Sequence, residues 1–346
     1  MIKNNSNSNS NSNFNSNSSS SDIIKKASLI KIIRNFFSQD DFLEIISPPM
    51  VENPGMEAHV HPFKVTQARA PVQPSAKISN LYLHTSPEFY LKKMLSLGLQ
   101  KIYSIVHSFR DDIKSPIHQN QFLMLEWYRA NEYYTKIMDD CDRLIKFALH
   151  DLKKQKIKTN FSEKEYSLKR VTVKELFEEY LKIDILEYME VSDLKRLMEL
   201  NFPEVPLPAE TLFWDDYFFL LFLNKIEPHL ATTSDKKFLL LYEFPKHLAA
   251  LSTIKRDDPR VCERFEIYIN GIEICNAYNE LTNLQIQQER FEQQNNIKKS
   301  LYQYELPPPN VLYQALSNGI PPSAGIALGI ERFLLALVSD INNPFA

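Results

Sequence analysis

The sequence predicts an α+β fold in which an antiparallel β-sheet is flanked by helices. Residues 264–280 have the pattern of two strands joined at Asn270-Gly271, a dipeptide that tolerates the positive φ angles of a type I′ hairpin turn. Residues 101–110 and 122–128 alternate as strands do and are connected by a polar loop, which predicts a second antiparallel pair. Helical periodicity dominates the stretch between the two pairs, residues 131–232.

The bulk composition is that of a globular protein. The chain has 346 residues, of which 44% are hydrophobic and 24% are charged, and its formal net charge is −3. This charge gives no general attraction to nucleic acid, so tRNA is not a favoured partner. The longest apolar run, residues 217–223, is too short to cross a membrane. Because Cys141, Cys262 and Cys275 show neither metal-ligand spacing nor a disulfide framework, we expect free thiols and a cytoplasmic location.

The N-terminal region predicts a disordered tail followed by a helix. Residues 1–21 are nearly all Asn and Ser, which bury too little surface to offset the entropy cost of ordering. Order should begin at Asp22, the predicted N-cap of a helix with one apolar stripe. A short strand over residues 42–46 is then ended by Pro48. We expect residues 22–346 to form a single domain.

Two further segments carry polar residues that are either structural or ligand-binding. Residues 84–88, His-Thr-Ser-Pro-Glu, have the hydroxyl, proline and early acid of a helix start, so Ser86 and Glu88 either cap a helix or line a site. Arg110 lies at the mouth of the second strand pair, where its guanidinium can grip a phosphate or form a surface salt bridge. Glu126 lies on an otherwise apolar and aromatic strand face, so it is either buried with a partner or lines a site.

The Asn270-Gly271 turn fixes which hairpin residues share a face. Strict alternation puts four isoleucines on one face and Glu266, Tyr268, Glu273 and Cys275 on the other. Diagonal neighbours across such a pair lie roughly 7–8 Å apart, so the two glutamates can hold a divalent cation between them. The alternative is a solvated outer face with two ordinary glutamates.

The last functional pattern, residues 323–333, is a glycine-punctuated apolar strand that runs directly into a helix. The helix should begin near Glu331, which places Arg332 in its first turn. Gly325 and Gly329 leave the strand open to the close approach of a ligand.

These segments resemble the three signature motifs of the class II aminoacyl-tRNA synthetases, in the right order. Pro48, Arg110 and Arg332 are similar to the key residues of the three motifs. Three longer stretches are similar to the lysyl branch: residues 85–88, 122–128 and 264–281. The chain resembles still more closely the stand-alone paralogues of lysyl-tRNA synthetase that ligate (R)-β-lysine to elongation factor P. The resemblance covers residues 22–346 and implies a class II synthetase-like catalytic domain that forms a homodimer.

Two features separate these paralogues from true synthetases. Only the Asn/Ser tail and one helix precede the first motif, so we expect no anticodon-binding domain. Ala327 stands at a position where the true synthetases resemble this strand but have glycine. The added methyl group reshapes the substrate floor in favour of a β-amino acid, although one methyl group gives only about 1–3 kcal/mol of discrimination.

The resemblance also assigns roles to individual residues. Arg110 and Arg332 would be the catalytic arginines, which hold the α-phosphate and the outer phosphates of ATP. The other predicted ATP-binding residues are Asp112, Gln119, Glu273, Ile274 and Gly329. The predicted residues for β-lysine or lysine are Ser86, Pro87, Glu88, Tyr128, Glu280 and Ala327. Glu266 and Glu273 would bind Mg²⁺. The implied reaction is adenylation of the amino acid by ATP, followed by transfer to a specific lysine of elongation factor P.

Three positions depart from the family pattern. Asp112 stands where glutamate is usual, Gln119-Asn120-Gln121 replaces Asn-Pro-Glu, and Glu331 replaces aspartate. Two alternative functions therefore stay open: a minimal lysyl-tRNA synthetase that charges tRNA, and a non-catalytic binding module, which the altered loop favours.

The assigned role of Glu280 conflicts with strict alternation along its strand. Alternation turns this residue toward the isoleucine face, away from Glu273. We therefore predict a bulge or bend between Cys275 and Glu280, because one extra residue reverses the parity.

Overall fold

A computed structural model describes residues 20–66, 80–208, 213–230, 232 and 237–345 of the chain. Within these residues the helices are α1 (Ser20–Ser38), α2 (Glu88–Ser96), α3 (Tyr134–Lys154), α4 (Val173–Leu181), α5 (Val191–Asn201), α6 (Trp214–Lys225), α7 (Glu227–Leu230), α8 (Leu284–Tyr302), α9 (Asn310–Asn318) and α10 (Ile330–Leu337). The strands are β1 (Leu43–Glu44), β2 (Met50–Val51), β3 (Lys64–Val65), β4 (Leu81–Leu83), β5 (Lys101–Phe109), β6 (Gln121–Ala130), β7 (Lys169–Thr172), β8 (Phe238–Pro245), β9 (Val261–Ile269), β10 (Ile272–Asn279) and β11 (Ser323–Gly329).

The described strands form one large and one small sheet. The large sheet has the order β1-β5-β6-β11-β10-β9-β8-β7, and only its edge pairs β1–β5 and β7–β8 are parallel. The small sheet has the order β2-β4-β3. Both predicted hairpins are present, β5 with β6 and β9 with β10. The predicted α+β class, an antiparallel sheet flanked by helices, is confirmed.

Helices cover both faces of the large sheet because its strands alternate between two cores. In β8, Phe238 and Leu240 join a cluster with α1, α3 and α10, while Leu239 and Leu241 join a cluster with α4, α5 and α6. A smaller third cluster packs α2, α8 and α9 beside the centre of the sheet. No helix in the described part of the chain is long and apolar enough to span a bilayer.

The first helix begins earlier than the sequence predicts, and Asp22 is not its N-cap. Helix α1 already includes Ser20, so the end of the predicted tail is helical, while residues 1–19 lie outside the described residues. The Asp22 side chain is buried and its Oδ2 accepts hydrogen bonds from the backbone N–H groups of Asn342 and Asn343, at 3.2 and 3.1 Å. The carboxylate therefore satisfies backbone donors of the C-terminal segment, far away in sequence.

The β9–β10 hairpin has the predicted turn. Asn270 and Gly271 both have positive φ, 51° and 79°. The register begins as predicted, with Tyr268 opposite Glu273.

Beyond the turn, the predicted register of the hairpin is wrong. It shifts between Glu273 and Cys275, so that Cys275 rather than Ile274 lies opposite Ile267. Cys275 is buried in the isoleucine-rich core and not on the face of the glutamates, because one extra residue reverses the parity of the strand. The predicted bulge exists, but it precedes Cys275 rather than following it.

Candidate active site

A cavity of about 110 Å³ lies over the centre of the large sheet, where β6, β11 and β10 are neighbours. The residues that line it and that the family resemblance assigned to a role are Ser86, Glu88, Arg110, Tyr128, Glu273, Glu280, Ala327, Gly329 and Arg332. The remaining lining residues are Glu57, Met124, Glu126, Asn276, Tyr278, Gly325 and Ile326. Segments distant in sequence thus meet at one polar site, as the motif assignments require.

The bulge in β10 is what brings the two ends of that strand into the same cavity. Glu273 precedes the bulge, and Asn276, Tyr278 and Glu280 follow it, yet all four line the cavity. In a regular strand the last three would point to the opposite face from Glu273. The bulge therefore resolves the parity conflict of Glu280.

Glu126 is buried in the floor of the cavity, and two hydroxyl groups hold its carboxylate. Ser86 Oγ donates to Oε1 at 2.5 Å, and the Tyr128 hydroxyl donates to Oε2 at 3.1 Å. Burial and the neighbouring Glu88 raise the pKa of Glu126 to about 8, although both hydroxyl groups oppose the rise. Both readings of Glu126 from the sequence hold, since it is buried with partners and lines the site. A bound ammonium group would stabilise its charged form.

Glu88 and Glu280 are held together by Lys92, a residue that sequence reasoning missed. Lys92 Nζ lies 2.5 Å from Glu88 Oε1 and 2.6 Å from Glu280 Oε2. Burial lowers the pKa of Lys92, but the two carboxylates outweigh burial and raise it above its ordinary value. Burial raises the pKa of Glu280 to about 7 and outweighs the opposing effect of Lys92. The sequence feature that could have revealed this pairing is the position of Lys92, one helical turn after Glu88 and beside the buried Leu91.

Gly325 is required by the packing of the cavity floor. It lies opposite Tyr128 in the β11–β6 pair, and the Tyr128 ring crosses over it. A Cβ atom at this position would come closer than 3.0 Å to two Tyr128 ring carbons and within 2.6 Å of Glu280 Oε1. Glycine therefore leaves the space that two predicted substrate-binding side chains occupy.

The opposite end of the cavity carries the two predicted catalytic arginines. Arg332 Nη1 lies 3.5 Å from Glu273 Oε2, and both side chains are partly exposed. Arg110 Nε donates to the carbonyl of Thr85 at 3.4 Å, and its guanidinium lies over the Phe122 ring at 5.3 Å from the centroid. Both arginines line the cavity, and their planar, permanently charged guanidinium groups suit the binding of phosphate.

A second cavity of about 40 Å³ adjoins this arginine end and shares Arg110, Gly329 and Arg332 with the first. Asp112 and Gln119, both predicted to bind ATP, line it. The altered loop keeps a fixed base, because Asn120 Nδ2 donates to the carbonyls of Arg110 and Asp112, at 2.9 and 3.1 Å. The two arginines thus lie between a carboxylate-rich compartment and a second compartment lined by residues 112–119 of the loop between β5 and β6.

Glu331, the third departure from the family pattern, is a structural residue. Its carboxylate accepts from the backbone N–H of Leu123 at 3.0 Å and pairs with Lys26 at 2.8 Å. It lies one residue inside α10, which begins at Ile330. The side chain joins three elements at the edge of the second cavity.

Glu266 does not join Glu273 in the cavity lining. Arg264 Nη2 lies 2.5 Å from Glu266 Oε1, and the Tyr268 hydroxyl donates to Oε2 at 2.6 Å. Both oxygens are thus engaged by the protein. Among the described residues no group of three or more His, Cys, Asp or Glu side chains is arranged to hold a metal ion. Mg²⁺ commonly binds through one or two carboxylates together with substrate phosphates, and the partly exposed Glu273 fits that mode.

Two other predicted residues lie outside both cavities. Ile274, assigned to the nucleotide, is the extra residue of the bulge, and its side chain is buried in the core. Pro87, assigned to the amino acid, is buried at the N-cap position of α2. Its neighbour Ser86 instead reaches the site, where its Oγ accepts from Glu88 N–H at 3.0 Å while donating to Glu126. The two alternatives predicted for Ser86, a capping residue or a residue that lines the site, do not exclude each other, because its hydroxyl group makes both contacts.

The fold and the site together define an enzyme of the class II synthetase type. Residues 7–342 match the family model of the class II tRNA synthetases (D, K and N), and the chain belongs to this family. It is therefore an ATP-dependent ligase.

Within the family, the chain is similar to curated proteins that share one name, elongation factor P–(R)-β-lysine ligase. The protein of that name from Hamiltonella defensa subsp. Acyrthosiphon pisum is 34% identical over 325 residues, which cover 93% of this chain and 92% of the relative. The Vibrio cholerae protein is 34% identical over 321 residues, 92% of each chain. The Buchnera aphidicola protein (strain APS) is 32% identical over 323 residues, 92% of this chain and 91% of its own.

Proposed function

We propose that this protein activates (R)-β-lysine, or the closely similar lysine, with ATP and transfers the aminoacyl group to a lysine of elongation factor P. One observation carries the proposal: the cluster of Glu88, Glu126 and Glu280 lies at one end of the cavity, and the two arginines lie at the other, beside Glu273. A diamino acid has two ammonium groups for the carboxylate end and one carboxylate for the arginine end. The relatives named above, which match the chain over nearly its full length, support this acceptor and this amino acid.

At the carboxylate end, the site would hold the amino acid by its charges. Glu126 and Glu280 would each accept an ammonium group, and burial strengthens both interactions by excluding water. Glu88 and the Tyr128 ring would fix the orientation of the bound chain between them. This arrangement leaves the carboxylate of the amino acid pointing toward Arg110.

At the arginine end, the chemistry requires alignment rather than proton transfer. The carboxylate of the amino acid is ionised at neutral pH and attacks the α-phosphorus of ATP, and the bond to pyrophosphate breaks. Arg110 would hold the α-phosphate and Arg332 the outer phosphates, which stabilises the charge that develops on them. Glu273 would hold Mg²⁺, which supplies further positive charge to the phosphates when it is bound.

In the second step, the neutral ε-amine of the acceptor lysine would attack the carbonyl carbon of the aminoacyl-adenylate. An amide bond forms, the bond between the carbonyl carbon and AMP breaks, and the amine loses a proton. The Ala327 methyl group, on the cavity floor opposite Glu126 in the sheet, supports β-lysine over lysine because it fills space near the α-carbon.

The remaining properties are proposed with the same function. The chain would act as a homodimer in the cytoplasm, with its three cysteines reduced, and all three are buried as free thiols. Residues 22–346 would form the single catalytic domain.

The decisive experiment incubates the protein with ATP, labelled β-lysine or lysine, and either elongation factor P or tRNA. Label on elongation factor P is the expected result, and charging of tRNA alone would favour the minimal synthetase instead. Amino-acid-dependent pyrophosphate exchange would rule out a non-catalytic binding module. Arg110→Ala should abolish that exchange while lysine binding persists.

A further inference from the structure

A buried lysine behind the cavity takes no part in the steps above. Lys92 is 1% exposed and does not line the cavity, yet its Nζ contacts the carboxylates of two residues that do, Glu88 and Glu280. Lysine is almost never fully buried unless it is paired. A charge placed at this depth needs a reason beyond the packing of α2.

We propose that Lys92 is a positioning residue that fixes the charge and the placement of the Glu88–Glu280 pair, and thereby selects an amino acid with two amino groups. The inference rests on the proposed function and extends it, because it assigns the choice of substrate to a residue that never touches the substrate.

The geometry shows why the pair needs a cation. The two carboxylate oxygens that contact Lys92 Nζ, at 2.5 and 2.6 Å, lie no more than about 5 Å apart. Two buried carboxylates this close would share one proton if no cation lay between them. A shared proton would also draw the two groups toward each other. With Lys92 present, Glu280 turns Oε2 to the lysine, while Oε1 lies beside Gly325 in the cavity wall.

The charge balance then favours a second ammonium group on the substrate. The groups that face Glu280 across this end are Glu88 and Lys92 of α2, and Glu126 and Tyr128 of β6, with Glu57 beside Glu88. Four carboxyl groups thus share one internal ammonium group, so they cannot all ionise at low cost without further positive charge. An amino acid with one ammonium group supplies a single positive charge, whereas lysine or β-lysine brings two.

A purely structural role for Lys92 predicts something different. If the lysine only ties α2 to the end of β10, its loss lowers stability and leaves the pH dependence of substrate binding unchanged. If it sets the charge of the pair, its loss moves that pH dependence, because Glu280 then takes up a proton more readily.

The test compares Lys92→Met with Lys93→Met, the same substitution at the exposed neighbour in the same helix. Pyrophosphate exchange is measured with lysine, β-lysine and norleucine, which lacks the distal amino group, between about pH 6 and pH 9. For Lys92→Met we expect KM for lysine to rise about tenfold or more at neutral pH, with KM for ATP within about twofold. The acid limb of the lysine profile should move to higher pH by about one unit. Activity with norleucine should hardly change, so the preference for lysine falls.

A second variant separates charge from folding. In the double variant Glu88→Gln/Lys92→Met, one negative and one positive charge are removed together, so the acid limb should return toward its wild-type position even where the melting temperature stays low. An unchanged lysine KM and pH profile in Lys92→Met, with only a lower melting temperature, would overturn the proposal.

Calorimetric titration of lysine without ATP keeps this proposal apart from the proposed function. A wild-type protein that binds lysine but gives no exchange contradicts the proposed reaction, and the dissociation constants of the variants then test Lys92 directly. A wild-type protein that binds neither lysine nor β-lysine overturns both.

Discussion

Replacing Gly325 by alanine should disable amino acid binding while leaving nucleotide binding nearly intact. The new Cβ would lie 2.6 Å from Glu280 Oε1 and still closer to the Tyr128 ring, whereas ordinary contacts begin at 3.4 Å. Both side chains would therefore have to retreat by about 1 Å, a misplacement that can cost about 100-fold in rate. The overpacking should also lower the free energy of unfolding by about 1–3 kcal/mol.

Gly329→Ala is the matched control, since it makes the same substitution in the same strand. The three atoms nearest to its Cβ would all belong to Arg332, with Nε at 3.2 Å, and this flexible side chain needs to shift by a few tenths of an ångström. Pyrophosphate exchange kinetics should thus show a raised amino acid KM for Gly325→Ala, and a small change confined to ATP for Gly329→Ala. If Gly325→Ala kept the wild-type KM for lysine, Tyr128 and Glu280 could not be the substrate-binding groups assigned above.

Three further predictions concern protonation, the metal ion and the fold. Burial raises the pKa of Glu280 to about 7 and that of Glu126 to about 8, and only their ionised forms attract ammonium groups. Lysine affinity measured by calorimetry should therefore increase from pH 6 to pH 8.5, with release of protons. Affinity that is constant over this range would contradict the assignment of these two carboxylates to the substrate. Removing Mg²⁺ with a chelator should abolish pyrophosphate exchange. Glu273→Gln should raise the Mg²⁺ concentration needed for half-maximal exchange. An unchanged Mg²⁺ requirement in this variant would exclude Glu273 as a ligand. Asp22→Ala should lower the free energy of unfolding, measured in urea, by about 1–3 kcal/mol because two backbone donors lose their acceptor. Asp22→Asn keeps an acceptor oxygen and should cost less. If the two variants were equally stable, the carboxylate would not have this role.

The elements that the sequence predicted well are those set by local patterns. The Asn270-Gly271 turn, the β5–β6 pair and the run from β11 into α10 all depend on residues close in sequence, whose spacing and turn chemistry reveal the structure. The resemblance to the family motifs further predicted that these segments, distant in sequence, meet at one site.

The features that the sequence did not reveal depend mainly on contacts between distant residues. Aspartate is a residue type that is common at N-caps, but the Asp22 carboxylate accepts hydrogen bonds from backbone donors some 320 residues away. No local sequence pattern indicates such a contact. The pairing of Lys92 with Glu280 was equally hidden, because a lysine in a helix is ordinarily solvated and Glu280 lies far away in sequence. The assignment of Glu266 to Mg²⁺ stays a prediction, and its sequence neighbours Arg264 and Tyr268 engage both of its oxygens.

The bulge at Ile274 lets residues on both sides of it face the same cavity, although their spacing along a regular strand would place them on opposite faces. The half next to the turn carries the phosphate-facing Glu273, and the other half carries Tyr278 and leads directly to Glu280. Insertion or deletion of one residue between them would exchange every inward and outward side chain of the second half at once, placing two carboxyl or hydroxyl groups in the apolar core. Divergence in this enzyme should therefore proceed by substitution on either side of Ile274, with the length of the strand held constant.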